Sequence, residues 1–140
     1  RPFEVRDLHM VVIWTKKEAN SALLVENVNR YQNYEAMHHF QKATEETVEK
    51  LFISFTNQEN ICIINDIQRL NILLKELSSF TKQNLFTSEM KEIEEILTQF
   101  TCGMKFSGAG AGDCLIAFFH ALPYYIKSTT RAHFYLLFPY

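Results

Sequence analysis

All four glycines of this 140-residue chain lie within ten residues, at positions 103, 108, 110 and 112. Glycine is used where the backbone needs a positive φ or where a ligand must approach it closely. The last three alternate in the stretch from Lys105 to Cys114, beside a serine hydroxyl and a carboxylate. Successive backbone N–H groups turned inward in such a loop form an anion-binding concavity. The pattern therefore predicts a loop that binds phosphate or another anion.

The spacing of these glycines excludes two familiar phosphate loops. A dinucleotide fingerprint has the form G-x-G-x-x-G between a strand and a helix, whereas here the form is G-x-G-x-G and a strand-like segment follows. A Walker loop needs a Gly-Lys pair, and the chain has none. A purely structural interpretation stays open, in which the loop is a tight strand-to-strand connection with bulges.

Composition limits the class of protein. With 47% hydrophobic residues the chain can build the core of one domain, which we place at residues 1–140. The formal net charge of −2 and the lack of a Lys/Arg stripe argue against a nucleic-acid partner. No apolar run reaches the ~18 residues of a membrane helix. The three cysteines are scattered without zinc-ligand spacing, so we expect no metal site and a cytoplasmic location.

Four helices are predicted in the first hundred residues. Thr15 and Glu18 have the spacing of a capping box, which predicts a helix from about Lys16 to Tyr31. A second helix is predicted to begin near Thr44, a third to run through Ile63–Leu77, and a fourth to follow Thr87. The second, third and fourth helices each have a predicted apolar face. In that order, the faces consist of Val48, Leu51, Phe52 and Phe55; Ile63, Ile67, Leu70, Leu74 and Leu77; and Met90, Ile93, Ile96, Leu97 and Phe100.

Three segments have strand character, at residues 8–14, 114–119 and 133–138. The predicted order is strand, four helices, glycine loop, strand, short connection, strand. This order is typical of an α+β fold, with about four helices packed on one face of a small, mainly antiparallel sheet.

Two stretches of the chain resemble the GHMP kinase superfamily, the small-molecule kinases related to galactokinase, homoserine kinase and mevalonate kinase. The stretch from Lys105 to Cys114 is similar to the third conserved motif of that superfamily. Its Ser-Gly-Ala-Gly and Gly-Asp-Cys elements most resemble bacterial phosphomevalonate kinases. The opening Trp-Thr-Lys, followed by Ala19, Ser21, Leu24 and Val25, is similar to the stretch that begins the C-terminal half of those enzymes.

Three residues depart from the family pattern. Lys16 stands where the family usually has glycine, so the turn there must differ. Phe106 replaces a small residue and should crowd the base of the loop. Leu115 replaces a glycine and is expected to pack into the sheet.

The resemblance implies that this chain is the C-terminal half of a two-domain kinase with a ferredoxin-like arrangement. The family's ATP-binding loop and catalytic lysine lie in an N-terminal half whose motifs do not occur here. That half would be the chain's partner and would hold most of the ATP and Mg²⁺. The implied reaction transfers the γ-phosphoryl of ATP to 5-phosphomevalonate, in isoprenoid biosynthesis, and the fragment alone is expected to be inactive.

The resemblance also implies roles for the loop. Gly108, Ala109 and Gly110 would present amides to the substrate or to the transferring phosphate, and Ser107 would add a hydroxyl donor. Asp113 would orient the loop or reach a Mg²⁺-bound water, although a turn cap explains it equally well.

Weaker candidates for the phosphate site are Lys105, Thr15 and Ser21. Lys105 would counter phosphate charge or lie outside the site, and Thr15 is better explained as a helix cap. No catalytic residue is assigned to this half.

Other functions remain open at this point. Mevalonate kinase and diphosphomevalonate decarboxylase are sister assignments within the superfamily. A non-catalytic α+β module that binds an anion or mediates dimerisation would use the same loop. A half-domain would also expose apolar surface, so the fragment is expected to self-associate.

Overall fold

The computed structural model describes residues 7–15, 17–108, 110–112 and 114–121, together with the backbone of residues 133–137. These residues form an α+β fold, which confirms the predicted class. The elements in chain order are β1 His9–Trp14, α1 Ser21–Asn29, α2 Glu35–Asn57, α3 Asn60–Thr81, α4 Ser88–Leu97, β2 Cys102–Phe106, β3 Cys114–Phe119 and β4 His133–Leu137.

The described strands form a four-stranded sheet in the order β2-β3-β1-β4, and every neighbouring pair is antiparallel. The sequence indicated no strand between the fourth helix and the glycine loop, so the prediction missed β2. The segment lacked a clear strand pattern because it contains Gly103, and glycine is rare in strand interiors. It is needed there because a Cβ at Gly103 would lie 2.2 Å from the carbonyl oxygen of Ile64 in α3.

Two apolar clusters hold the helices to the sheet. The larger cluster joins one face of the sheet to α4 and to the end of α3, and the smaller one joins Leu8 to the start of α3. Members of the larger cluster include Val11, Ile13, Leu77, Leu85, Met90, Ile93, Leu97, Met104, Phe106, Leu115, Ala117 and Phe119, whereas the smaller contains Leu8, Ile63, Ile64 and Ile67. Leu115 is fully buried, as expected.

The predicted start of α1 was wrong. The helix begins at Ser21, and the side chain of Asn20 caps it by accepting a hydrogen bond from the Leu23 amide at 3.2 Å. Thr15 therefore does not cap a helix. Its hydroxyl accepts a hydrogen bond from the Lys17 amide at 3.4 Å instead. The capping-box spacing of Thr15 and Glu18 does not start the helix here, because the glycine loop packs against the segment that precedes Asn20.

The start of α2 was also predicted too late, since the helix already begins at Glu35. Met37 and Phe40 anchor the additional turns in the larger cluster, although polar neighbours hide their spacing in the sequence. Of the predicted face, Val48 and Phe52 are exposed.

Helices α3 and α4 follow the predicted pattern more closely. Most of their predicted apolar residues are buried, and the Thr87 hydroxyl caps α4 by accepting from the Met90 amide at 3.3 Å. Ile96 is an exception and is exposed. None of the described helices combines the length and apolar character needed to cross a bilayer.

Candidate phosphate-binding loop

The glycine loop, which we define as residues 107–113, connects the antiparallel strands β2 and β3. The Ser107 amide donates to the Cys114 carbonyl oxygen at 2.8 Å and closes the hairpin. Hairpin connections usually have about two to five residues, whereas this one has seven. The loop is therefore longer than a simple reversal of the chain requires.

Left-handed backbone conformations bend the loop sharply. Gly108 has φ 76° and Gly110 has φ 85°, and Ala111 adopts φ 59° although it carries a side chain. Residues other than glycine rarely occupy this region. The alternating glycines are thus required by the path of the backbone.

The base of the loop is fixed by the connection between α3 and α4. The Ala111 amide donates to the Leu85 carbonyl oxygen at 2.7 Å. The Leu85 amide in turn donates to the Ser78 hydroxyl at 3.3 Å, which ties the connection to the end of α3. Ala111 is therefore held to a carbonyl that α3 itself positions.

An aromatic pair fills the space beneath the loop. The rings of Phe86 and Phe106 meet edge to face with centroids 5.1 Å apart. A Cβ at Gly110 would lie 2.9 Å from the Leu85 carbonyl oxygen and 3.0 Å from the Phe106 ring. Phe106 therefore crowds the base of the loop, as predicted, and Gly110 accommodates it by having no side chain.

The far end of the loop packs against the connection between β1 and α1. A Cβ at Gly112 would lie 3.0 Å from the Lys17 carbonyl oxygen and 3.1 Å from the Ala19 amide nitrogen. This contact places the loop against the segment that links buried Thr15 to exposed Ser21, two of the weaker predicted site residues.

A surface ion pair ties the same segment to the first turn of α4. The Lys17 ammonium lies 2.7 Å from a Glu89 carboxylate oxygen. The hydrogen bond from Lys17 is the main reason that the pKa of Glu89 falls to about 2. Lys17 is half exposed and places a cation on the segment that the loop touches.

The amides of the loop divide into two kinds. Those of Ser107 and Ala111 donate to protein carbonyls, whereas those of Gly108, Gly110 and Gly112 find no hydrogen-bond acceptor among the described residues. Of these three glycines, Gly108 is exposed, whereas Gly110 and Gly112 are buried. Nothing lies within 4 Å of the position that a Cβ would take at Gly108, so the tip of the loop is open. The half-buried Ser107 hydroxyl also has no partner in the described part of the chain. At its exposed tip the loop can thus offer the Gly108 N–H group and the Ser107 hydroxyl to an anion.

The side chain of Lys105 is hydrogen-bonded to the backbone of its own strand, β2. Its ammonium donates to the Phe106 carbonyl oxygen at 2.6 Å, and burial lowers its pKa. A phosphate role for Lys105 stays a prediction, as do the roles of Ala109 and Asp113, which lie outside the described residues.

Sequence reasoning missed the residues that support the loop, namely Leu85, Phe86, Lys17 and Glu89. Leu85 acts through its backbone carbonyl, which leaves no mark on residue type. The apolar Leu85-Phe86 pair directly before the helix cap was a usable signal of a buried connection.

Comparisons with solved structures define the class of fold. The chain matches Streptococcus pneumoniae phosphomevalonate kinase, solved in complex with phosphomevalonate and AMPPNP, with a TM-score of 0.71 and 27% identity. The match covers 82% of this chain and 32% of that chain. The antiparallel sheet, its helices and this likeness together show a GHMP-like fold.

Two further structures match over a similar region. Another structure of the S. pneumoniae enzyme gives a TM-score of 0.64 and 26% identity, covering 80% of this chain and 32% of that one. The Lin0012 protein from Listeria innocua matches with a TM-score of 0.75 and 25% identity, and the match covers 79% of this chain and 32% of that one. The chain therefore spans about a third of the length of these proteins. No protein-family model and no curated protein matches it.

Proposed function

We propose that this chain is the C-terminal, substrate-binding part of a small-molecule kinase that transfers the γ-phosphoryl of ATP to 5-phosphomevalonate. The observation that carries the proposal is the open tip of the glycine loop, where the exposed Gly108 amide has no acceptor among the described residues. The motif resemblance and the likeness to phosphomevalonate kinase structures support the substrate.

The loop suits a reaction between two polyanions. Phosphoryl transfer depends mainly on positioning and on charge stabilisation, with little covalent work by the protein. Fixed amides provide positive dipole ends without needing to reorganise during the reaction. In this proposal the amides of Gly108, Ala109 and Gly110 and the hydroxyl of Ser107 hold the substrate phosphate, while Leu85 and Phe106 keep the loop rigid.

ATP and Mg²⁺ are assigned to the N-terminal half of the proposed enzyme. Among the described residues, no group of three His, Cys, Asp or Glu side chains could hold a metal ion. The nucleotide, when bound by the other half, supplies the transferable phosphoryl group. The contribution of this chain is to bind and orient the acceptor phosphate.

The proposal is tested on the full-length natural protein, by following ADP release with ATP and 5-phosphomevalonate. Ser107→Ala removes one proposed phosphate donor without breaking a side-chain hydrogen bond within the described residues. Loss of one preorganised donor lowers turnover by roughly 10²–10³-fold. Ser79→Ala is the matched control, because Ser79 is exposed and lies at the end of α3. It should leave turnover unchanged.

Three results would contradict the proposal. The full-length protein could use mevalonate or diphosphomevalonate in place of 5-phosphomevalonate, which would support a sister assignment. Ser107→Ala and Ser79→Ala could have equal turnover. Finally, the isolated 140-residue chain could transfer phosphoryl groups without a partner half, which would overturn the division of labour proposed here.

A further inference from the structure

An apolar groove of about 290 Å³ lies beside the glycine loop. Val25 and Val28 of α1 form one wall and Leu74 and Leu77 of α3 form another. Phe106 and Gly108 line the groove as well, so its apolar surface continues up to the open tip of the loop. The Gly108 amide therefore stands at the edge of a hydrocarbon-like surface.

The groove is accessible from solvent. Val25, one of its lining residues, is 51% exposed, whereas Leu77, Leu85 and Phe106 are buried and fix its shape. Ligand sites are typically apolar clefts with a few well-placed polar groups that orient the ligand. Here the polar groups are the Gly108 N–H, which has no acceptor among the described residues, and the side chain of Asn29, which also lines the groove.

The chemistry of the groove differs from that of 5-phosphomevalonate. That substrate carries a hydroxyl and a carboxylate along its chain. A wall on which Asn29 is the one polar side chain among the lining residues disfavours such groups, because it leaves most of their hydrogen bonds unmade. A ligand that matches both the wall and the amide has an anionic head and a hydrocarbon body.

We propose that this groove binds the aliphatic chain of a small phosphate monoester whose phosphate rests on the Gly108 amide. The volume has room for roughly ten water-sized groups, which suits one short chain and not the two acyl chains of a membrane lipid. The inference goes beyond the proposed function, because it requires neither ATP nor a partner half. The two share only the anion-binding loop.

The test is calorimetric titration of the 140-residue chain with butyl, hexyl and octyl phosphate. Each buried methylene should tighten binding by about fourfold, so affinity should rise steadily with chain length until the groove is full. Inorganic phosphate and octanol, each tested alone, should bind more weakly than octyl phosphate. Equal affinity across the series, or octanol binding as tightly as octyl phosphate, would overturn the proposal.

Two variants on one helix supply the matched comparison. Val25 and Leu23 are 51% and 50% exposed, but only Val25 lines the groove. Val25→Asn should weaken octyl phosphate binding by about tenfold and flatten the dependence on chain length, while Leu23→Asn should leave both unchanged. Equal effects of the two substitutions would contradict the groove as the binding site. Circular dichroism of both variants shows whether α1 persists.

Two further arms separate this inference from its alternatives. Binding to phosphatidic acid vesicles without binding to soluble alkyl phosphates would assign the groove to a membrane lipid and refute the proposal. A full-length protein inactive with 5-phosphomevalonate, but with the alkyl phosphate series intact, would refute the proposed function alone. An active enzyme with no chain-length dependence would refute only the groove.

Discussion

Gly103 and Gly108 are five positions apart, yet their surroundings are opposite. A side chain at Gly103 would collide with the Ile64 backbone at 2.2 Å, because α3 packs directly on β2. At Gly108 no atom lies within 4 Å of the Cβ position, and the backbone is left-handed at φ 76°. Gly103 is therefore a packing glycine, and Gly108 is a glycine that leaves the main chain accessible.

Gly110 lies between these extremes. It has a positive φ of 85°, and the Leu85 carbonyl and the Phe106 ring also leave no room for a side chain. The comparison teaches that one cluster of glycines serves two purposes, which are to hold a helix against the sheet and to leave the Gly108 amide accessible at the tip of the loop. Substitutions should therefore affect stability in one order and phosphate binding in the reverse order.

The largest effect on stability is expected for Gly103→Ala. The new methyl group would meet backbone atoms of α3, which cannot move aside as a flexible side chain can. Overpacking of this severity should cost about 3 kcal/mol in the free energy of unfolding, measured by urea denaturation. Phosphate affinity of the molecules that remain folded should not change. A loss below about 1 kcal/mol would show that α3 is not fixed against β2.

Gly110→Ala should have the next largest effect on stability. A left-handed alanine costs about 1–2 kcal/mol, and the contact with Leu85 at 2.9 Å adds to that cost. Ala111→Gly is the control in the same turn, because Ala111 is already left-handed and glycine removes its strain. That variant should be at least as stable as the parent chain in the same urea experiment. Equal destabilisation by both would argue against a fixed loop.

Gly108→Ala should change stability least among these glycines and phosphate binding most. The cost to folding is the strain of φ 76° alone, about 1 kcal/mol. The methyl group would occupy the space through which an anion approaches the tip, so phosphate affinity should fall by at least tenfold. Calorimetric titration with inorganic phosphate measures it. If Gly103→Ala weakened phosphate binding more than Gly108→Ala did, the proposed division between the two glycines would be wrong.

The smallest effect concerns the ion pair between Lys17 and Glu89. The pKa of Glu89 in the folded chain is about 2, below the value of about 4.3 expected in the unfolded chain. The unfolded state therefore binds the proton more tightly, and the contribution of the pair is present above about pH 4 and lost as the pH falls towards 2. Glu89→Gln should remove this part of the acid dependence of the urea midpoint. An unchanged pH profile would show that the pair contributes nothing.

The sequence predicted the regular parts of the fold well. Helices α3 and α4 were predictable because their apolar residues recur at helical spacing and Thr87 provides a recognisable cap. The starts of α1 and α2 were not, because contacts with the glycine loop and the larger core cluster outweigh local capping signals. Strand β2 was missed because Gly103 is required by its contact with Ile64 of α3, 39 positions earlier in the chain.

The sequence predicted where the candidate loop lies in the chain, but not which of its amides are hydrogen-bonded to the protein. The glycine spacing located the loop, and its resemblance to a known motif correctly indicated that Phe106 crowds the base. Which amides are engaged depends on the Leu85 and Cys114 carbonyls, and backbone acceptors have no signature in residue type.

The most direct test of the anion-binding loop is an ¹⁵N-correlated NMR titration of the chain with inorganic phosphate. The amide signal of Gly108 should shift progressively, because this exposed N–H group has no acceptor among the described residues. Those of Ser107 and Ala111, already bonded to carbonyls, should move much less. Shifts of equal size at the amides of Gly108, Ser107 and Ala111, or no shift at Gly108 at saturating phosphate, would contradict the account.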